Sequence, residues 1–174
     1  LSAVRRLLAE EHNPAALNFA SATSPGGGFL SGARAQEEYL ARSSTLYACL
    51  ESQPMYAFHR QQNDPLYTSY TIYSPAVPVF RGDDGALLEE PYVVGVITAA
   101  APNAAHLHPS RQVEIEQAFR ERIAKVLWTG LQHGHDALVV GAWGCGAFGN
   151  DGYMVSRVFH EALSRDFRGA YRKV

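Results

Sequence analysis

Gly26-Gly27-Gly28-Phe29-Leu30-Ser31-Gly32-Ala33-Arg34-Ala35-Gln36-Glu37-Glu38 is the stretch that decides how the chain is read. Three consecutive glycines leave a backbone that nothing blocks from close approach, and they tolerate positive φ angles that other residues avoid. Pro25 in front favours an extended approach. The apolar run Ala16-Leu17-Asn18-Phe19-Ala20 precedes the triplet, and a helical pattern from Gln36 to Leu50 follows it. Strand, glycine loop and helix is the geometry in which backbone N–H groups cradle a phosphate or diphosphate. Here the helix opens with two carboxylic acids, which would repel such a ligand. The stretch therefore reads as a loop holding something anionic while an acid beside it does chemistry. Taken singly, the glycines also fit a tight turn, and Glu37 and Glu38 also fit solvated acids in the first turn of a helix. Adjacent helical residues point about 100° apart, so the two acids cannot enter a cleft in the same way.

Two glycine signatures are excluded. No Lys-Ser or Lys-Thr follows the triplet, so it is not a nucleotide-triphosphatase loop. The spacing is not G-x-G-x-x-G, so it is not a dinucleotide fingerprint.

Outward from the triplet, short apolar strands alternate with helices. Val4 to Glu11 reads as a helix stopped by Pro14, and Leu17 to Ala20 as a buried strand. Tyr39, Leu40, Ser43, Leu46, Tyr47 and Leu50 keep helical spacing after Gln36, and Gln53-Pro54 ends that helix. Residues 55 to 68 show no period and read as irregular. Tyr67 to Tyr73 is β-prone, Ser74-Pro75 breaks it, and Val77 to Phe80 continues extended. Residues 81 to 85 are a turn on composition. Tyr92 to Ala99 is a central strand, followed by a loop at 100 to 103. Arg111 to Leu131 is the longest helix, capped near Gly134. Ala137 to Ala142 is a third central strand, Trp143 to Asn150 a second glycine-rich loop, and Asp151 to Phe167 a helix with Asp151 as N-cap. Tyr171 to Val174 starts a strand.

This alternation implies one three-layer α/β domain over residues 1–174, with the ligand outside the carboxyl ends of the strands, where the glycine loops meet. In Gly144-Cys145-Gly146-Ala147-Phe148-Gly149-Asn150, glycine at alternate positions suggests backbone wrapped around a ligand; a flexible connection is the plainer reading. Nothing in the sequence supplies Cys145 with a partner histidine, so it is not read as a nucleophile. The pairs His106/His108 and His133/His135 lie at helix ends without a supporting Cys or carboxylate cluster, so neither metal nor cofactor is expected.

The triplet, the QEE seven residues beyond it and GAWGCGAFGN, in that order, resemble the signature of the compact bacterial poly(ADP-ribose) glycohydrolases. The stretches LNFASATSPGGGFLSGARAQEEYLARSSTLY, YSPAVPVFR and VITAAAPN extend the likeness from about Asn13 to the end of the chain. The resemblance implies a macrodomain-like α/β/α fold with a mixed central sheet. It implies that Glu38 does the proton work and Glu37 binds ribose. It implies that Gly26, Gly27, Gly28 and Gln36 line the first loop. The loop from Gly144 to Asn150 would cover the diphosphate and distal ribose, with Phe148 shaping the site. Asn18 sits where such folds place a polar residue near the ribose, although it also fits a strand residue satisfying backbone. The implied activity is hydrolysis of the ribose–ribose bond of poly(ADP-ribose), with ADP-ribosylated proteins as partners. A macrodomain that only binds ADP-ribose, or one that cuts another ADP-ribosyl linkage, is the alternative.

Composition bounds these expectations. The chain has 174 residues, 47% hydrophobic and 18% charged, with a formal net charge of −2. That is globular rather than disordered, and it argues against general nucleic-acid binding, which usually shows a basic stripe. No apolar run approaches a membrane span. Two cysteines far apart in sequence suggest a reduced, cytoplasmic protein. Leu1 is not a start methionine, so segments beyond both ends are expected.

Overall fold

The computed structural model describes residues 1–174. Its centre is a four-stranded mixed sheet in the order β2-β3-β1-β4. These strands are β1 (Pro14–Phe19), β2 (Thr71–Arg81), β3 (Leu87–Ala99) and β4 (Ala137–Val139). β1 runs parallel to β3 and β4, and β2 runs antiparallel to β3. Alternation along β1 feeds two cores. Ala15 and Leu17 join Ile97, Phe119, Ile123, Trp143 and Val158 on one face; Ala16 joins Leu40, Leu46, Met55, Val79 and Val96 on the other. Helices α5 (Glu114–Gln132) and α6 (Gly152–Ser164) cover the first face. The second is covered by α1 (Ser2–Ala9), α2 (Gln36–Ser43), α3 (Leu46–Leu50) and α4 (Pro54–Gln62). The result is the expected three-layer α/β/α arrangement with a mixed sheet.

Four local readings change. The segment Ala137 to Ala142, expected to be a central strand, forms only the short β4 (Ala137–Val139) at the edge of the sheet, paired with β1, because the chain turns into the glycine loop directly after it. The helix expected from Gln36 to Leu50 is two helices, because Thr45 N–H donates to Pro78 O at 3.0 Å and Ser44 bridges to Val79. The chain leaves the helical path there to reach the edge of the sheet. Within the stretch expected to be irregular lies α4, which starts on Pro54 at a position where a missing N–H costs nothing. It buries Met55, Tyr56 and His59. The two extended pieces around Ser74-Pro75 are one strand, β2, whose register shifts between Ser74 and Val77. β2 is an edge strand, where proline is tolerated. The final segment contributes a single bridge, Lys173 to Ala137. No helix is long and apolar enough to cross a membrane.

Candidate active site

A cavity of about 320 Å³ opens beyond the carboxyl ends of β1, β3 and β4. Its walls are the end of β1 (Phe19, Ala20, Ser21), the start of α2 (Ala35 to Glu38) and the second glycine loop (Trp143, Gly144, Gly146, Ala147, Phe148), with Ala101 and Ala142. Of these side chains only Glu37 and Glu38 are ionisable, and neither lysine nor arginine lines the cavity.

The QEE triplet anchors itself residue by residue. Gln36 pairs with β1 like an extra strand: its Oε1 accepts from Phe19 N–H at 2.9 Å and its Nε2 donates to Leu17 O at 2.8 Å. Glu37 is buried. Its Oε2 accepts from Ser21 N–H at 2.6 Å, and its Oε1 accepts from Asn18 Nδ2 at 3.3 Å. Glu38 reaches back to the helix start, where its Oε2 accepts from Ala35 N–H at 2.9 Å. Its Oε1 accepts from Gly28 N–H at 2.9 Å. Both oxygens of Glu38 are thus held by main chain, so the carboxylate is fixed before any ligand arrives.

Burial pushes Glu37 up to about 7, against the opposing pull of Ser21 N–H, the Asn18 amide and Gly26 N–H; the neighbouring Glu38 charge adds to the rise. Burial thus favours the protonated form of the Glu37 carboxyl. Asn18 lies beneath the carboxyl, fully buried, and also donates to Thr98 Oγ1 at 3.3 Å. Its Oδ1 has no partner. Turning the amide over points that oxygen at Glu37, where it accepts from the protonated carboxyl. Asn18 can thus serve both protonation states of Glu37.

The glycine triplet stands behind the carboxylates rather than on the cavity wall. Gly27 has φ +61°, and a β-carbon there would run into the Glu38 carboxylate and touch Glu37 Oε2 at 3.1 Å. Gly27 N–H donates to Ser24 O and Gly28 N–H to Glu38, so these donors are engaged within the protein. The open donors are in the second loop. Cys145 N–H is taken by Ala142 O and Gly149 N–H by Gly146 O, while the N–H groups of Gly146, Ala147 and Phe148 meet no acceptor in the protein. Three consecutive donors without a protein acceptor, in residues that line the cavity, are available to an anion, as in a nest.

Of the residues expected from sequence, Gln36, Glu37, Glu38, Gly144, Gly146, Ala147 and Phe148 meet at this cavity. Asn18 and the glycine triplet support it from behind. Cys145 turns its Sγ to Trp143 O at 3.6 Å and packs on the core. Gly149 and Asn150 lie in a neighbouring crevice with Val113 and Met154. There Asn150 Nδ2 ties the loop by donating to Pro102 O and Gly144 O, both at 2.8 Å. Sequence reasoning missed Phe19, Ala20, Ser21, Ala35, Ala101, Ala142 and Trp143 as wall residues. Ala35, Ala142 and Trp143 directly adjoin the two motifs; Ala20 and Ala101 offer only a methyl group, Ser21 N–H is taken by Glu37, and Phe19 reads as an ordinary apolar strand residue. The histidine pairs are engaged elsewhere. Tyr73 OH contacts His135 Nε2 at 2.7 Å, His133 stacks on Tyr73, and His106 contacts Asn103.

Residues 1–82 match the family model for the catalytic domain of microbial-type poly(ADP-ribose) glycohydrolase. No curated protein matches the chain. Among solved structures, the poly(ADP-ribose) glycohydrolase of Thermomonospora curvata, bound to the inhibitor ADP-HPD, is 54% identical with a TM-score of 0.96; the match covers 99% of this chain and 67% of that one. The poly(ADP-ribose) glycohydrolase of Deinococcus radiodurans, in complex with ADP-ribose, is 48% identical with a TM-score of 0.95, covering 99% and 71%. The chain thus spans about two thirds of the Thermomonospora protein. With the QEE and glycine-loop geometry in place and identity near one half over nearly its whole length, the chain belongs to the bacterial poly(ADP-ribose) glycohydrolases, a family of glycoside hydrolases.

Proposed function

We propose that this chain hydrolyses the ribose–ribose O-glycosidic bond of poly(ADP-ribose), releasing ADP-ribose, with Glu38 as general acid and then general base. The observation that carries the reading is the pairing of a main-chain-fixed carboxylate with a nest of free N–H donors across one cavity. The nest suits a diphosphate, and the carboxylate suits the anomeric centre beside it. The relatives' complexes with ADP-ribose and ADP-HPD support the same ligand class.

In this mechanism the diphosphate lies on Gly146, Ala147 and Phe148, and Glu37 hydrogen-bonds a hydroxyl of the distal ribose. The anionic ligand displaces water from the cavity and lies beside Glu38. Glu38 passes its proton to the glycosidic oxygen as the bond to the anomeric carbon breaks, and an oxocarbenium-like centre forms. Water adds to that centre and its proton returns to Glu38. One acid serves both steps, unlike the two-carboxylate scheme of most glycosidases. The proposed partners are the polymer and the ADP-ribosylated proteins that carry it. Both cysteines are free thiols, which suits action in the reducing cytoplasm.

The test is chromatography of products from labelled poly(ADP-ribose) beside a mono-ADP-ribosylated protein. Release of ADP-ribose from polymer is expected. Release from the mono-modified protein alone would reassign the linkage. Binding without release from either would make the chain a reader.

A further inference from the structure

Tyr67 has φ +56°, in the left-handed region that a bulky side chain rarely adopts. Its hydroxyl makes no hydrogen bond within the protein, so no polar contact of the side chain repays that conformation. A glycine would make the same turn without strain, so the ring itself is what the position retains.

The surrounding loop is pinned from several sides. Tyr67 N–H donates to Asp64 O at 3.0 Å, and Asn103 N–H to Pro65 O at 2.8 Å. Arg111 forks onto Asp64 at 2.8 and 3.1 Å. Arg122, buried in α5, donates one guanidinium nitrogen to Ala100 O at 3.1 Å and another to Leu66 O, immediately before Tyr67. Burial lowers that guanidinium to about 10, so it stays charged and keeps both carbonyls at neutral pH. This clamp joins the Tyr67 loop to the end of β3, next to the cavity residue Ala101.

The ring is then held between two others. Its centroid lies 5.6 Å from His59 and 6.2 Å from Phe148, tilted by 53° and 47°. Phe148 is the cavity residue at the far end of the nest, and its carbonyl accepts from Ala105 N–H at 3.0 Å. Apart from such neighbours the Phe148 loop is mostly glycine and cannot by itself fix where the ring points.

We propose that Tyr67 is a positioning residue of the hydrolytic site: its strained, pinned backbone presses its ring behind Phe148 and sets how Phe148 meets the distal ribose. This rests on the glycohydrolase reading above. Tyr67 touches no reacting atom and acts through Phe148, aligning the ribose for Glu38.

The test compares Tyr67→Gly, Tyr67→Ala and Tyr67→Phe for polymer cleavage and melting temperature. Tyr67→Gly is expected to lose at least tenfold in kcat with KM changed less than threefold, and to melt above Tyr67→Ala because glycine relieves the φ strain. Tyr67→Phe keeps the ring and should return kcat to within a few fold of the parent. Combined with Phe148→Ala, Tyr67→Gly should add little further loss. Parental kcat in Tyr67→Gly, or losses that multiply in the double variant, would overturn the proposal. If the parent itself cleaves no polymer, the functional reading fails separately, and the proposal is decided by fluorescence. A Phe148→Trp reporter should then shift to the red when Tyr67→Gly is added, and an unshifted spectrum would refute the packing of the two rings.

Discussion

Gly28 N–H donates to Glu38 Oε1 at 2.9 Å, so the glycine triplet holds the carboxylate that the helix after it carries. This explains why three glycines precede the acids. The loop must fold tightly over a carboxylate, and Gly27 leaves no room there for a side chain.

Replacing Gly27 by Val should therefore displace Glu38 as well as strain the backbone. The positive φ costs on the order of 1–3 kcal/mol for a non-glycine residue. We expect a lowered melting temperature and a large loss of kcat, with the fold retained by circular dichroism. Full activity in this variant would mean that Glu38 need not stand where Gly28 holds it.

Glu37 makes stability depend on pH. Its carboxyl rises from an ordinary 4.5 to about 7 on folding, so the folded state binds the proton more tightly than the unfolded chain. Its contribution is fully favourable below about 4.5, falls as pH rises, and is lost above about 7. The shift corresponds to roughly 3 kcal/mol across that window. Glu37→Gln cannot ionise, and Asn18 can turn its unpartnered Oδ1 to the new amide. Relative to the parent, the variant should therefore gain stability between pH 4.5 and 8, while ribose binding and turnover both fall. Paired melts over that range test this; parallel curves would show that Glu37 is ionised throughout.

Much of this was legible in sequence. The apolar runs of β1 and β3, the glycine triplet and QEE placed the sheet, the cavity and the acids. What was hidden depends on contacts distant in sequence. Ser44 reads as helical until Val79 arrives beside it. α4 exposes Arg60, Gln61 and Gln62 and buries only a few residues, so its apolar stripe is too short to show a period. The division of labour between the glycine loops was also invisible, because composition marks both alike. Only the hydrogen bonds show the first loop serving Glu38 and the second leaving its donors free.

In the proposed mechanism those free donors govern ligand choice. No lysine or arginine lines the wall, so the proposed diphosphate site offers main-chain donors alone. We expect ADP-ribose to bind with micromolar or better affinity and AMP far more weakly. Affinity for ADP-ribose should also respond weakly to salt, since no lysine or arginine lines the cavity itself. Calorimetry at two ionic strengths checks both points; equal affinity for AMP and ADP-ribose would remove the distal ribose from the site.

Glu38 is where the chemistry is staked. Glu38→Gln keeps the size of the side chain and can still accept one main-chain N–H, from Gly28 or from Ala35. It can neither deliver a proton to the glycosidic oxygen nor take one from water. The rate of polymer cleavage should fall by about 10²–10⁴-fold, the usual share of acid–base catalysis, and toward the upper end because one group serves both steps. ADP-ribose affinity should fall only modestly, because the nest at Gly146 to Phe148 is untouched. Glu37→Gln differs in lowering affinity and rate together. Single-turnover cleavage beside ADP-ribose calorimetry separates the two cases. A Glu38→Gln protein that cleaves polymer within a few fold of the parent would mean that the proton comes from elsewhere. Glu37 would then be the only other ionisable side chain on the cavity wall to supply it.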